Sequence, residues 1–245
     1  METAFWIILT FVLAGLVKGV SGMGLPTVAL AILGAVMSPV AAASLMLVPS
    51  FVTNVWQLVT GPHLEVLWRR LWFMMAGIAV GTFLSSAWLV DDAITWTTPA
   101  LGLTLVIYAG YSLLARPLCI PPRLEQLLSP AIGVLTGIVT GLTGVLVVPA
   151  VPYLQSLALA RDDLVQALGL SFTVSTAALA MGLIWHGGFD AGRLGWSAAA
   201  VVPALLGMWI GQRLRTYISP PVFRRGFLVC MLLLGVELVV RGWWP

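Results

Sequence analysis

What this chain lacks first is charge: only 9% of its 245 residues are Asp, Glu, Lys or Arg. A water-soluble domain carries about a quarter, because its surface must meet water. The deficit runs along the whole length, which excludes a separate soluble domain. Cysteine is nearly missing too. Cys119 and Cys230 lie far apart, with neither metal-ligand spacing nor a disulfide framework. The two histidines, His63 and His186, fall in loops that do not correspond to one another, and the few acidic residues also fall in predicted loops. No H-E-x-x-H, G-x-S-x-G or P-loop pattern occurs. These absences argue against paired carboxylates, a metal or a cofactor, and the chain is not expected to be an enzyme. No basic run is present that would hold nucleic acid.

What is present is apolar. Hydrophobic residues make up 60% of the chain, and the mean hydropathy is +1.04. Bilayer is the solvent that suits such a composition. The first residues carry no basic n-region and no small-residue cleavage pattern, so they read as a retained helix. Spanning segments of about 20 residues are predicted near 4–20, 40–60, 71–90, 95–114, 130–147, 164–185, 194–212 and 222–240. Two apolar stretches near 24–37 and 146–159 are too short to span alone, and each follows a glycine cluster. The fold class is therefore all-α integral membrane, with about eight spanning helices plus two short broken or re-entrant helices.

The chain also repeats itself. Gly15, Gly19 and Gly22 recur 122 residues later as Gly137, Gly141 and Gly144. Pro26 answers to Pro149, Ser38-Pro39 to Asp162-Asp163, Ser44-Leu45 to Ser171-Phe172, and the Gly77/Gly81 pair to Gly207/Gly211. The expected division is a first repeat over 1–115, a linker over 116–129 and a second repeat over 130–245. Arginine marks cytoplasmic loops, and Arg69/Arg70, Arg116/Arg123 and the Arg213, Arg215, Arg224, Arg225 group share one face only if each short stretch adds a leg. Asp91/Asp92 then lies on the opposite face, and the two halves are inverted repeats, a common transporter plan.

The glycine clusters carry the chemistry. Gly22, Gly24 and Pro26 should interrupt a helix, and broken backbone at membrane depth survives only inside protein or beside a watery cavity. A new helix starting there offers free N–H groups and a positive dipole end, which suit an anion. The candidate binding residues are Lys18, Gly19, Ser21, Gly22, Met23 and Gly24 in the first half. Thr140, Gly141, Thr143 and Gly144 are their counterparts in the second. For Gly77/Gly81 and Gly207/Gly211, close helix packing is the preferred reading. Lys18 is the one base within an apolar run; an anion-pairing role and a snorkelling role both stay open. Asn54 and Gln57 share a helix face, and Ser171, Thr173, Ser175 and Thr176 supply hydroxyls in the matching helix. They could line a path or merely join helices. Glu237 and Arg241, four apart, read as an interfacial ion pair.

Gly15, Gly19, Gly22 and Gly24 with Ala42-Ala43-Ser44-Leu45, and Gly137, Gly141, Gly144 and Pro149 with Leu170-Ser171, resemble the sulfite exporter TauE/SafE family of membrane permeases. The likeness covers nearly the whole chain, although Leu25-Pro26 and Val145-Leu146-Val147-Val148 stand where the family often has denser glycine runs. The resemblance implies transport, commonly outward, of sulfite, sulfoacetate or related sulfonates. The expected protein is thus a secondary transporter of a small oxyanion in the bacterial cytoplasmic membrane, with its site at the midplane where the two glycine breaks meet. Its partners would be the anion, the bilayer and optionally a coupling ion, and a homo-oligomer stays open. No ATP-binding motif and no cofactor are expected. The alternatives are an ion channel or metal-cation permease, disfavoured by the shortage of membrane carboxylates, and a non-transporting scaffold subunit.

Overall fold

The computed structural model describes residues 2–91, 96–114, 119–189, 191–214, 217 and 220–243. Asp92, Arg116 and Arg215 lie outside them, as does the side chain of Arg224. Among the described residues there are helices and no strand. In order they are α1 (Glu2–Ser21), α2 (Leu25–Gly34), α3 (Pro39–Val59), α4 (Leu64–Val90), α5 (Thr97–Leu114) and α6 (Pro122–Thr143). The chain continues through α7 (Ala150–Ser156), α8 (Arg161–Trp185), α9 (Ala191–Ala199), α10 (Val201–Leu214) and α11 (Pro220–Trp243). Six stretches are long and apolar enough to cross a membrane: Pro39–Val59, Leu64–Val90, Thr97–Leu114, Arg123–Thr143, Arg161–Trp185 and Gly192–Leu214. The eight expected spans are thus met by six. α1 counts as a shorter apolar helix over Phe5–Ser21, and α11 is not among the six. The two short stretches are helical, as α2 and α7, and α6 begins at Pro122, inside the stretch read as linker.

Proline sets several boundaries. Pro26, Pro39 and Pro122 sit in first turns, where a missing N–H costs nothing. Ser38 caps α3 by accepting from Ala41 N at 3.4 Å. Inside a helix proline leaves the carbonyl four residues back without its donor. Pro203 does this to Ala199, which is where α9 gives way to α10. Pro49 does it to Leu45 in the middle of α3. The freed Leu45 carbonyl accepts from Ser197 Oγ of α9 at 2.8 Å, and the same hydroxyl accepts from Val48 N at 3.2 Å. Ser197 of α9 thereby bridges the gap that Pro49 leaves in the hydrogen bonding of α3.

The halves interlock rather than sit side by side. α1 packs on α10, α4 on α6, α3 on α8 and α5 on α11. Glycines set the closest of these approaches. A Cβ at Gly19 would lie 2.2 Å from Met208 O, and one at Gly137 would lie 2.5 Å from Ile78 O. Gly207 and Gly211 meet Val12 and Leu16, while Gly77 and Gly81 meet Pro130 and Val134. Contacts advance together along α1 and α10, and along α4 and α6, so each of these pairs is parallel. In α5 and α11 they run in opposite senses: Gly102 meets Gly235 and Val239, while Gly235 meets Leu105 and Val106. α3 and α8 are likewise antiparallel, Asn54 reaching Thr176 and Gln57 reaching Val165.

This packing revises the register read from sequence. Gly19 and Gly137 make the same contacts in their respective crossings, as do Gly15 and Gly133. The crossing therefore follows an offset of 118, not 122. In the core helices the offset is 122, since α3 and α8 start at Pro39 and Arg161. Ser44 then answers to Gln166 rather than to Ser171, and Ser38-Pro39 to Ala160-Arg161 rather than to the two aspartates. Ser44 Oγ donates to Gly188 O, beyond α8, and Gln166 Nε2 donates to Leu58 O at the end of α3. The Glu237–Arg241 pair is replaced as well. Arg241 donates to Ala35 O, the carbonyl at the C-terminal end of α2. Arg70 similarly reaches Leu157 O at the end of α7, at 3.5 Å, while pairing with Glu125 at 2.6 Å. Cations suit the negative end of a helix dipole, and each short helix has one there.

Candidate functional site

The first break is built by local hydrogen bonding. α1 ends where Ser21 Oγ donates back to Val17 O at 2.7 Å and accepts from Met23 N at 3.3 Å. Gly22 (φ 78°) and Gly24 (φ 104°) then take left-handed backbone, which residues with a Cβ avoid. Pro26 opens α2, whose first turn holds Thr27, fully buried and with no protein partner for its hydroxyl. Met23 Sδ accepts from Tyr108 OH at 3.8 Å.

The second break repeats this device at an offset of 122. Thr143 Oγ1 donates to Val139 O at 2.7 Å and accepts from Val145 N at 3.2 Å, the pattern of Ser21. Gly144 (φ 76°) bonds Thr140 O as Gly22 bonds Lys18 O. Thr140 therefore stands where the first half has Lys18. Its hydroxyl donates locally, to Val145 O at 3.1 Å. α7 follows after a cis Val148–Pro149 bond.

Lys18 does not snorkel. It is 3% exposed, and its Nζ donates to Thr53 Oγ1 at 3.2 Å and to Asn54 Oδ1. Asn54 Nδ2 passes the chain on to Thr176 Oγ1 at 3.4 Å. Three helices, α1, α3 and α8, meet in this one polar cluster. Gln57, one turn along α3, donates to Gly22 O at 2.9 Å and to Val165 O at 2.8 Å, tying the break to α8. Ser50 on α3, and Ser171 and Ser175 on α8, are fully buried hydroxyls without protein partners, and Gln57 Oε1 is also unpartnered. Such groups normally find a hydrogen-bond partner. Three helices thus present one amine and several hydroxyls, donors fit for an oxyanion.

The structure distributes the candidate residues in three groups. Lys18 and Asn54 belong to this polar core, Gln57 lies one turn along α3, and Ser171 is buried on α8 without a hydrogen bond to any of them. Ser21, Gly22, Met23 and Gly24 form the first turn-back, and Thr140, Thr143 and Gly144 the second. Gly19 and Gly141 sit in helix crossings: a Cβ at Gly141 would fall 1.9 Å from Ser85 Oγ. The two breaks do not meet. Gly22 lies by Gln57 and Val165, whereas Gly144 lies by Leu30 and Ala43. Gln57 and Ala43 are fourteen residues apart on one helix, roughly 21 Å of rise. The legs α1 and α6 are long enough to pass one another, which places the tips at opposite ends of α3. The polar cluster lies between them.

Thr53 and Ser50 were not singled out in the sequence, although an offset of 122 sets Thr53-Asn54 against Ser175-Thr176. A separate apolar cavity of about 300 Å³ is lined by Tyr108, Tyr111, Ile132, Pro149 and Tyr153, among others, and by none of the candidate residues. Among the described residues, no group of three or more His, Cys, Asp or Glu could hold a metal ion.

A family model described as Sulfite exporter TauE/SafE matches residues 7–238, nearly the whole chain. No curated protein and no solved structure matches. The chain belongs to the TauE/SafE family, and with its apolar helices that makes it a multi-pass membrane transporter of the sulfite and sulfonate type.

Proposed function

We propose that the chain is a secondary transporter that exports a small oxyanion, sulfite or an organosulfonate, across a bacterial cytoplasmic membrane. The anion would sit at Lys18, Asn54 and Thr176, among the unpartnered hydroxyls of Ser50, Ser171 and Ser175. The observation that carries this reading is the buried Lys18 amine, whose hydrogen-bond partners, Thr53 and Asn54, are both neutral. A buried cation without a counter-ion is costly, and an oxyanion supplies that counter-ion together with acceptors for the free hydroxyls.

We also read residues 1–115 and 130–245 as inverted repeats joined by 116–129, giving ten legs of which eight span. The support is geometric. Equivalent helices, α3 with α8 and α5 with α11, pack antiparallel, as a two-fold axis lying in the membrane plane requires. Asn54 and Thr176 are equivalent at an offset of 122 and touch each other. Two related residues in contact lie at such an axis, and the anion would therefore bind near the bilayer centre. Arg69, Arg70, Arg123 and Arg213 fall at one end of the bundle and Asp91 at the other, consistent with a cytoplasmic arginine face. The cation-permease reading gains nothing here, since α2 and α3 contain no charged residue at all.

The test is counterflow in proteoliposomes. Vesicles loaded with unlabelled sulfite or sulfoacetate should take up the labelled anion in the presence of the protein. Absence of exchange for every small oxyanion tried would overturn the proposal, and uptake of rubidium or a divalent cation instead would favour the cation route.

A further inference from the structure

The chain holds twelve basic residues, and eleven of them are arginine. The single lysine is Lys18, the one buried in the central polar cluster. Arginine stays protonated in proteins, whereas a buried lysine can release its proton. The arginines with described side chains lie toward the ends of helices, where fixed charge is useful: Arg70 on Glu125, Arg69 on Glu65, Arg241 on Ala35 O, Arg213 over Trp209.

We propose that Lys18 is also the proton site of the transport cycle. The amine binds one proton together with one monovalent oxyanion, both leave at the other face, and the empty carrier returns uncharged; export then runs down the anion's own concentration gradient and carries one proton out with each anion. This rests on the reading of Lys18 as the anion site. The step balances: a neutral amine, a proton from water at the open face and the anion give an ammonium–anion pair of no net charge, and release reverses it.

The surroundings of Lys18 require such a device. α2 and α3 contribute no charged group. On α10, Arg213 is exposed and lies over Trp209. On α11, Arg225 and Glu237 are exposed and Arg241 is engaged at Ala35. On α8 the charges are confined to its first turn, where Arg161 and Asp162 are exposed and Asp163 meets His63 at 2.7 Å. Among these described side chains none offers the amine a carboxylate. Carrying an uncompensated ammonium through hydrocarbon on the return stroke is expensive, while a neutral amine hydrogen-bonded to Thr53 and Asn54 is not. Thr140, the counterpart in the second half, cannot carry charge.

The full chain in proteoliposomes, with a pH dye inside and methanesulfonate as a fully ionised probe, tests this. Wild type should exchange labelled methanesulfonate, and should accumulate it under an inward proton gradient with about one proton per anion, whether or not the membrane potential is clamped. Lys18→Arg keeps the cation and cannot shed its proton. Whatever exchange it retains, it should lose net gradient-driven accumulation at least tenfold more than it loses exchange. A wild type that exchanges methanesulfonate without moving protons overturns the inference while leaving the anion transporter standing, and so does a Lys18→Arg variant that still accumulates it. If Lys18→Arg fails to fold, the proton-to-anion ratio of wild type decides alone. If wild type exchanges neither methanesulfonate, sulfite nor sulfoacetate, the transporter reading itself fails and this inference falls with it.

Discussion

The two breaks open on the same helix-ending turn and differ in the residue one turn before the glycine. Ser21 and Thr143 turn their helices by the same pair of hydrogen bonds, and Gly22 and Gly144 take the same left-handed step. Yet position 18 is a lysine that reaches across to α3, and position 140 is a threonine satisfied within its own turn. The second half also inserts one helical turn between its packing glycines and its break, so that Gly141 fills an extra contact against α4. Both segments share the means of ending a helix, while the buried charge belongs to the first alone.

The comparison can be broken at three levels. The largest effect is all-or-none. Single cysteines replacing Asp91 and Tyr217, in the equivalent loops of the two halves, should react with an impermeant thiol reagent from opposite faces, in a background lacking Cys119 and Cys230. Labelling of both from one face would end the inverted reading. Next come the crossings. Gly19→Val and Gly137→Val each drive a side chain into backbone carbonyl oxygen and should destabilise the bundle to a similar degree, by several kcal/mol since backbone has to move. Thermal unfolding in detergent checks this, and a large difference between the two would show that the crossings are not equivalent. Smaller, and confined to function, is the contrast at the breaks. Lys18→Gln should weaken apparent anion affinity about ten- to a hundredfold, the scale of a buried charge-assisted hydrogen bond. Thr140→Val should change it by less than about threefold. Equal losses at both positions would mean that the two breaks bind alike.

The correspondences that survived from sequence are those set by local chemistry. A glycine at positive φ, a proline in a first turn and a Ser or Thr one residue before the glycine specify a helix end wherever they occur, so Gly22 and Gly144 were legible. The correspondences that shifted are those set by packing. Gly15 and Gly19 look like Gly137 and Gly141 because spacing alone cannot say which turn of a helix meets its neighbour. Glu237 and Arg241 have the spacing of an ion pair, but Arg241 donates instead to a carbonyl at the end of α2 that the helix leaves without a partner. Ser197 gave no signal at all, because its partner is a carbonyl freed by a proline about 150 residues away.

Sequence by itself determined the solvent, most of the helices, the places where they break and the presence of one base within an apolar run. Each of those follows from residue type within a few turns: hydropathy, missing donors, left-handed backbone. Tertiary structure alone decided that the tips pass one another instead of meeting, and that Lys18 reaches Asn54 while Asn54 reaches Thr176. Those outcomes depend on how far each leg runs before it crosses another helix. Crossing depth is fixed by which small residues let two backbones approach, and no single segment of the chain records it.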